Sequence, residues 1–142
     1  MKKIISLSVL ILLVSFFSFA ANNIAAETTK TSVSKPAKVE VYYFHFTRRC
    51  MTCQAVETES KKAILALYPA QVKQGKVRFT QINLDDKSSV SIAKKYEVSG
   101  QTLLVVSDNK RVDLTDKGFM YAVSSVDKLK AELKKTIDPL LR

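Results

Sequence analysis

The sequence contains few of the side chains that build metal centres. In 142 residues there are only two cysteines, Cys50 and Cys53, and one histidine, His45. A structural zinc site takes four ligands, usually cysteine and histidine, so these side chains are too few to complete one. A disulfide between Cys50 and Cys53 would also add little stability, because the chain-entropy gain grows with the length of the closed loop. The cysteines are therefore better suited to reversible thiol chemistry than to a structural role.

Acidic residues are scarce beside basic ones. The chain has 23 Lys and Arg against 13 Asp and Glu, a formal net charge of +10. A basic protein invites a nucleic-acid interpretation. The lysines, however, are spread over three predicted helices and alternate with Glu and Asp, as on solvated faces. We therefore expect no nucleic-acid partner, whereas an acidic partner or an anionic envelope surface stays open.

The N-terminal residues predict a secretory signal peptide over residues 1–20. Lys2 and Lys3 precede an apolar stretch, and Ser18-Phe19-Ala20 and Ile24-Ala25-Ala26 both place a small residue before a possible cleavage site. The stretch has about 16 residues, fewer than the about 20 that span a bilayer, so we expect cleavage, with membrane attachment only if the segment is not cut. No cysteine lies near the cut, which excludes lipid attachment there. The sequence thus predicts an exported protein, located in the bacterial periplasm.

Residues 21–38 predict a linker, since they are rich in Thr, Ser, Lys and Ala and show no apolar periodicity. Residues 39–142 predict a single domain, whose length of about 100 residues is enough for one modest core. The predicted strands are 39–46, 77–84, 103–106 and 111–114, and the predicted helices are about 50–67, 88–96 and 126–137. The order β-α-β-α-β-β-α indicates an α/β fold with a central four-stranded mixed sheet and flanking helices, and it leaves Gly118 in a loop.

The two cysteines follow a strand and open a helix, which is the arrangement used for thiol–disulfide exchange. The helix dipole and the adjacent cations Arg48 and Arg49 both favour a thiolate, so they are expected to lower the pKa of Cys50. Cys50 is therefore the predicted nucleophile. Cys53, one turn inside the helix, is the predicted resolving thiol that displaces the mixed disulfide. His45 is a candidate to tune Cys50, although a partly buried strand residue is the favoured interpretation.

The junction strand–Cys50-x-x-Cys53–helix, together with Val98-Ser99-Gly100-Gln101-Thr102-Leu103 before the third strand, resembles the thioredoxin-like fold in its compact form. A narrower set of motifs, Thr47-Arg48-Arg49 before the cysteines and Gly118-Phe119-Met120-Tyr121 later, is similar to the exported bacterial nitrophenyl compound nitroreductase subunits found with arsenic-resistance proteins. The resemblance implies a thiol–disulfide oxidoreductase, or the redox subunit of a reductase, that works with a protein partner. Nitroaromatic reduction is implied only by the name of that family. No cofactor is predicted.

Two departures from thioredoxin-like proteins bear on the chemistry. Such proteins carry a cis-proline before the third strand, whereas this chain has Gln101-Thr102; a cis bond without proline costs about 3 kcal/mol, so we expect trans. The missing proline puts in doubt substrate docking through backbone hydrogen bonds at this loop, and also the exclusion of metal from the cysteines.

The second departure concerns a buried acidic residue. In many thioredoxins it occupies the position near Phe44, and phenylalanine cannot accept or donate a proton. The proton of Cys53 must pass to water or to another group; Glu57 and Glu59 are candidates, although positions on the helix surface explain them equally well.

Three loops are expected to meet around the sulfurs. Besides residues 47–49, the substrate-loop candidates are Gly100, Gln101, Thr102, Gly118, Phe119 and Tyr121. Gly118 is predicted to provide an unusual backbone angle or a close approach, and packing of the aromatic residues under the last helix is the favoured alternative to a substrate groove. A second function also stays open, in which Cys50 and Cys53 bind or carry a soft ion such as trivalent arsenic or copper(I).

Overall fold

The structure, a computed structural model, describes residues 38–108 and 110–142. The predicted signal peptide at residues 1–20, and all but the last residue of the predicted linker, lie outside this part of the chain. The described residues belong to one compact unit. None of the helices within them has the length and apolar character of a membrane span.

Four strands form one mixed sheet in the spatial order β2-β1-β3-β4. The strands are β1 (Val39–His45), β2 (Val77–Asn83), β3 (Thr102–Ser107) and β4 (Lys110–Asp113). β1 pairs parallel to β2 and antiparallel to β3, and β4 pairs antiparallel to β3. The β-branched and aromatic residues of β1 suit the centre of the sheet, where both faces are covered. The predicted four-stranded mixed sheet is confirmed, with strand ends that differ from the prediction by a single residue.

Helices and short turns connect the strands. The α-helices of the described residues are α1 (Met51–Leu67), α2 (Pro69–Lys73), α3 (Val90–Lys95), α4 (Thr115–Tyr121) and α5 (Val126–Ile137). α1 ends before Pro69 because a proline disfavours helical geometry in the residue that precedes it. Pro69 then begins α2, which the sequence analysis did not predict, at a position where a missing N–H is tolerated. α3 is shorter than predicted, since its first turn is a 3-10 turn at Lys87–Ser89.

Each face of the sheet has its own core. Side chains alternate between faces along a strand, so Val41 and Tyr43 of β1 point to one face, where they join the main core formed with α1 and α5. Phe44 and Leu104 belong to the core of the opposite face. This alternation shapes the functional site, because Tyr43 rather than Phe44 lies on the face that α1 covers.

The prediction of a loop at Gly118 is wrong, because this residue lies within helix α4. The predicted close approach is confirmed: a Cβ atom on Gly118 would lie 3.1 Å from Val56 Cγ1 and 3.2 Å from Leu103 Cδ2. Both neighbours are fully buried. The missing side chain therefore lets α4 pack directly onto α1 and β3.

Candidate functional site

Cys50 and Cys53 lie at the start of α1, directly after the turn that follows β1. Cys50 is the N-cap residue of α1, with extended backbone angles (φ −76°, ψ 169°), and Cys53 lies in the first helical turn. Both are free thiols, and Cys50 is exposed whereas Cys53 is only 2 % exposed. Their sulfur atoms are 2.8 Å apart. One sulfur therefore faces solvent while its partner, within hydrogen-bond distance, is held in the interior.

The surroundings of the two thiols separate their pKa values. A hydrogen bond from the Cys53 thiol, followed by backbone N–H groups of Cys53 and Thr52, lowers the pKa of Cys50. Burial, followed by the hydrogen bond to Cys50, raises the pKa of Cys53. The exposed sulfur is thus the one that ionises first, and the buried sulfur retains its proton. The site presents a thiolate to solvent beside a neutral thiol.

The two arginines before Cys50 differ in their surroundings. Arg48 is exposed, whereas the guanidinium of Arg49 forms an ion pair with the carboxylate of Glu57 on α1. The side chains of Arg49 and Glu57 are 22 % and 16 % exposed. Because the carboxylate opposes the field of Arg49 at the sulfurs, the pair acts there more like a dipole than a single positive charge. A thiolate-stabilising role for Arg48 and Arg49 stays a prediction.

The turn between β1 and α1 is fixed by side chains at the end of β2 and just after it. The backbone N–H of Thr47 donates to Asp85 Oδ2 at 2.7 Å, and Asn83 Nδ2 donates to Thr47 Oγ1 at 2.9 Å. The hydrogen bonds from Thr47, backbone first, lower the pKa of Asp85 and so keep it ionised. Since β1 and β2 are parallel, their carboxyl ends meet at one edge of the sheet. The loop after β2 thereby holds the turn that leads to Cys50.

A tyrosine that the sequence analysis did not single out lies beneath the cysteines. Tyr43 is fully buried, and its hydroxyl donates a hydrogen bond to the carbonyl oxygen of Cys53 at 2.9 Å. Burial raises the pKa of Tyr43 well above its usual value, so the hydroxyl keeps its proton and acts as a donor. The available signal was the alternation of β1, which places position 43, and not position 44, on the helix-covered face.

The loop before β3 brings Gln101 to the same place. Its side chain lowers the pKa of the Cys53 thiol, in opposition to burial. Its Oε1 atom is also 3.5 Å from the hydroxyl oxygen of Tyr43. The Thr102 hydroxyl donates to the carbonyl oxygen of Gly100 at 3.0 Å, which stabilises the loop. The peptide bonds of the described residues are trans, as predicted for Gln101-Thr102. Of the three candidates in this loop, Gln101 is the one with a described effect on a cysteine.

Comparison with known proteins gives likenesses among solved structures. No family model matches the chain, and no curated protein matches it. A malarial protein is 24 % identical at a TM-score of 0.44, with 69 % of this chain and 96 % of that chain covered. Thioredoxin-2, a component of malaria parasite protein secretion machinery, is 22 % identical at a TM-score of 0.45, with coverage of 69 % and 82 %. Mitochondrial thioredoxin 3 from Saccharomyces cerevisiae, in its oxidised form, is 27 % identical at a TM-score of 0.39, and the match spans 54 % of this chain and 63 % of that chain.

The strand order, the parallel pairing of β1 with β2 and the Cys-x-x-Cys segment at the start of α1 define the architecture. The chain has a thioredoxin-like fold. In this thioredoxin-like domain the cysteines lie beyond the carboxyl end of the central strand β1, which is where open α/β sheets place their functional groups. The turn at Thr47 and the loop at Gln101 meet them there.

The remaining candidates lie on α4 of the thioredoxin-like domain, and their described contacts are with the core. Gly118 packs against Val56, as its close approach requires. Phe119 and Tyr121 are half-buried against the main core, which supports the packing interpretation for these aromatic residues. Met120 is exposed.

The other polar candidates, His45, Glu57 and Glu59, lie close to polar groups other than the sulfurs. His45 is a buried strand residue, 7 % exposed, and its Nδ1 atom lies 3.0 Å from the carbonyl oxygen of Phe46, so the favoured interpretation is confirmed. Glu57 pairs with Arg49, and Glu59 pairs with a nearby lysine on the surface of α1. Among residues 38–108 and 110–142, no group of three or more His, Cys, Asp or Glu side chains is placed to hold a metal ion.

Proposed function

We propose that the chain is a thiol–disulfide redox protein in which Cys50 attacks and Cys53 resolves. The Cys50 thiolate attacks a substrate disulfide, bonds to one substrate sulfur and expels the other as a thiolate. Cys53 then loses its proton to water and attacks the Cys50 sulfur, which forms the Cys50–Cys53 disulfide and releases the second substrate thiolate. The substrate gains two electrons and the protein dithiol loses them, and the same steps in reverse oxidise a substrate dithiol.

The unequal placement of two adjacent sulfurs is the observation that carries this proposal. The Cys50 sulfur is accessible and belongs to the thiol whose pKa is lowered, whereas the Cys53 sulfur lies 2.8 Å away and is buried. An attacking thiolate needs access and charge, and a resolving thiol needs proximity and protection from outside reagents. A purely structural cross-link requires neither difference.

The finer proposal concerns location and partner. Residues 1–20 support export, and we propose the bacterial periplasm as the compartment. Gln101 stands where thioredoxin-like proteins usually carry a proline, which favours a dedicated protein partner or reductase subunit over a broad range of substrates. The resemblance to nitrophenyl compound nitroreductase subunits adds nitroaromatic reduction as the activity of such a complex.

Trapping tests the proposal directly. In Cys53→Ser the mixed disulfide on Cys50 cannot be resolved, so partner proteins stay covalently attached and are recovered from native cells after acid quenching and thiol blocking. The double variant Cys50→Ser/Cys53→Ser is the matched control. The proposal is supported by adducts that form with the single variant, are absent from the control and are cleaved by a reducing agent. An equal yield of adducts from the double variant would contradict it.

A second candidate, a carrier of a soft metal or metalloid ion, rests on the same two free thiols. Two thiolates suffice for trivalent arsenic or copper(I), and Gln101-Thr102 stands in place of the proline that keeps ions from the cysteines of thioredoxin-like proteins. Titration of the reduced protein with arsenite distinguishes the two functions. A carrier binds one ion per dithiol and reduces disulfides slowly, whereas a redox protein turns over disulfides whether or not it binds arsenite weakly.

A further inference from the structure

Cys53 is contacted by two polar side chains that belong to different strands or loops. The Tyr43 hydroxyl from β1 donates to its carbonyl oxygen at 2.9 Å, and the Gln101 side chain, from the loop before β3, lowers the pKa of its thiol group. Gln101 and Tyr43 also contact each other, with 3.5 Å between Oε1 and the hydroxyl oxygen. The resolving cysteine thus lies in a small polar cluster inside an otherwise apolar core.

We propose that Gln101 is a positioning residue for the resolving step: its side-chain amide donates to the Cys53 sulfur while its Oε1 atom faces the hydroxyl of Tyr43. This inference deepens the proposed function and rests on it. It assigns Gln101 to the protein's own dithiol, where the sequence analysis had placed it among the residues of a substrate loop.

The chemistry of the amide group explains why glutamine suits this place. A glutamine side chain carries both a donor and an acceptor. Tyr43 has a single hydroxyl hydrogen, and its shorter hydrogen bond goes to the Cys53 carbonyl oxygen, so the 3.5 Å contact with Gln101 is the weaker of the two. The hydroxyl hydrogen is shared between the two acceptors, so the weaker contact still favours the orientation with Oε1 on the Tyr43 side. The amide N–H groups are then on the other side, where they can donate to the sulfur.

The benefit appears when Cys53 reacts. In the resolving step Cys53 releases its proton to water, its sulfur bonds to the Cys50 sulfur, and the bond between Cys50 and the substrate sulfur breaks. Negative charge passes through the Cys53 sulfur before it leaves on the substrate thiolate. Burial opposes that charge, whereas an N–H donor favours it. Gln101 thus offsets part of the desolvation that keeps Cys53 neutral at rest.

Other charged or titratable groups near the cluster are distributed over the elements that pack around it. Cys50 is the N-cap of α1, Glu57 lies within α1, Arg49 precedes the helix, and Tyr43 comes from β1. The pKa of Tyr43 responds to Cys53, Arg49, Glu57 and Cys50, and the pKa of Cys53 responds to Cys50. The ring of His45 is 6.0 Å from the ring of Tyr43. Gln101→Leu removes the amide donor without adding a charge and so separates the effect of the amide from that of these groups, whereas Gln101→Glu adds the repulsion of a carboxylate to the loss of the donor.

The test uses the reduced full chain and the chromogenic disulfide dithiobis(nitrobenzoate). Attack by Cys50 releases one nitrothiobenzoate, and attack by Cys53 releases the second and closes the protein disulfide. Stopped-flow absorbance separates the two steps, and acid quenching with mass spectrometry identifies the intermediate. Gln101→Glu keeps the shape but replaces the donor with an acceptor, Gln101→Leu removes both functions, and Gln74→Glu, at an exposed position at the end of α2, is the matched control.

We expect the first release to be unchanged within about twofold in all variants. The second release should slow by about tenfold in Gln101→Glu, the usual size of a hydrogen bond to a charged group, with a smaller loss in Gln101→Leu. The pH midpoint of the second release should move upward in Gln101→Glu and stay in place in Gln74→Glu. Urea denaturation of each variant shows whether the fold is intact, and the pH midpoint reports on the thiol rather than on stability.

The outcomes distinguish a failure of the positioning role of Gln101 from a failure of the proposed redox function. Wild-type rates for the second release in both Gln101 variants would overturn the positioning role, and so would an equal slowing of both steps with an unmoved midpoint. A wild-type protein that releases no nitrothiobenzoate would overturn the proposed redox function and this inference with it. A slower second step with an upward midpoint and an unchanged first step supports the assignment.

Discussion

The hydroxyl of Tyr43 donates a 2.9 Å hydrogen bond to the carbonyl oxygen of Cys53. This bond joins the central strand of the sheet to the first turn of α1, so the place of the resolving sulfur depends on β1 as well as on the helix. The hydroxyl is fully buried, and its raised pKa keeps it protonated. Because Gln101 contacts the same hydroxyl, β1 also helps to position the loop before β3 relative to Cys53.

Replacing Tyr43 with Phe removes this hydroxyl and keeps the ring. We expect the free energy of unfolding to fall by about 1 kcal/mol, the usual net value of an intramolecular hydrogen bond, as measured by urea denaturation. The release of the second nitrothiobenzoate should slow by a few-fold, because Gln101 loses the contact that orients its amide. The release of the first should not change, since Cys50 is not bonded to Tyr43.

Tyr68 provides a matched control for that substitution. It is also buried, it follows the opposite end of α1 from the cysteines, and its hydroxyl donates to Asp138 Oδ1 at 2.7 Å. Tyr68→Phe should lower stability by a comparable amount and leave both steps of the disulfide reaction unchanged. If Tyr68→Phe slowed the second step as much as Tyr43→Phe, a general loss of rigidity would explain the effect, and a specific role for Tyr43 would be wrong.

The lowered pKa of Cys50 depends first on the thiol of Cys53, which donates to it. A lowered pKa means that thiolate persists to lower pH, so removal of the donor should move the alkylation midpoint of Cys50 to higher pH. We expect this shift in Cys53→Ala and a smaller one in Cys53→Ser, whose hydroxyl still donates. Iodoacetamide labelling across a pH series, followed by mass spectrometry, measures both. Identical midpoints in the wild type and Cys53→Ala would contradict this cause.

The strand, the helix and the cysteines that form the site could be predicted from the sequence, because the patterns that indicate them lie within short segments of the chain. The apolar run of β1 and the long helical segment of α1 are strong patterns, and Cys50 and Cys53 are tied to their junction by chain distance alone. The contact between Tyr43 and Gln101 joins residues separated by 58 positions. It depends on which face each strand residue takes and on strand pairing, and no local pattern reveals it.

The mistaken loop at Gly118 has a different cause. Helix α4 has only seven residues, too few to be stable alone, and a poor helix former stands at its middle. Packing against α1 and β3 maintains this helix in spite of its local propensity. Gly118 weakens the helical pattern of the sequence, and its missing side chain also allows the packing. At this position local propensity disfavours a helix, whereas the tertiary contacts stabilise one.

The ion pair between Arg49 and Glu57 predicts opposite effects of its two members on Cys50. Arg49→Gln leaves the carboxylate without its cation and should move the alkylation midpoint of Cys50 upward. Glu57→Gln leaves the cation and should move it downward. The double variant should lie close to wild type, because the two charges offset each other. A double variant shifted as far as Arg49→Gln would show that Glu57 does not act at the sulfur.

The reduction potential follows from the same thiolate. Because a lowered pKa of Cys50 stabilises the reduced form, we expect a potential more oxidising than the about −270 mV of thioredoxin. Equilibration with a glutathione redox buffer, read by thiol alkylation, measures it. Cys53→Ser cannot form the internal disulfide and serves as the control for adducts with glutathione. A potential at or below the thioredoxin value would contradict this expectation.

A methyl group at position 118 should destabilise the protein in spite of its better helix propensity. Alanine gains about 1 kcal/mol over glycine inside a helix, but overpacking of a filled core costs about 1–3 kcal/mol. The new Cβ would lie 3.1 Å from Val56 Cγ1 and 3.2 Å from Leu103 Cδ2. We therefore expect Gly118→Ala to lower the free energy of unfolding by about 1 kcal/mol in urea denaturation. In a Val56→Ala background, where Cγ1 is absent, the same change should be neutral or stabilising. Equal costs in both backgrounds would show that Val56 is not the obstacle and that α4 shifts freely.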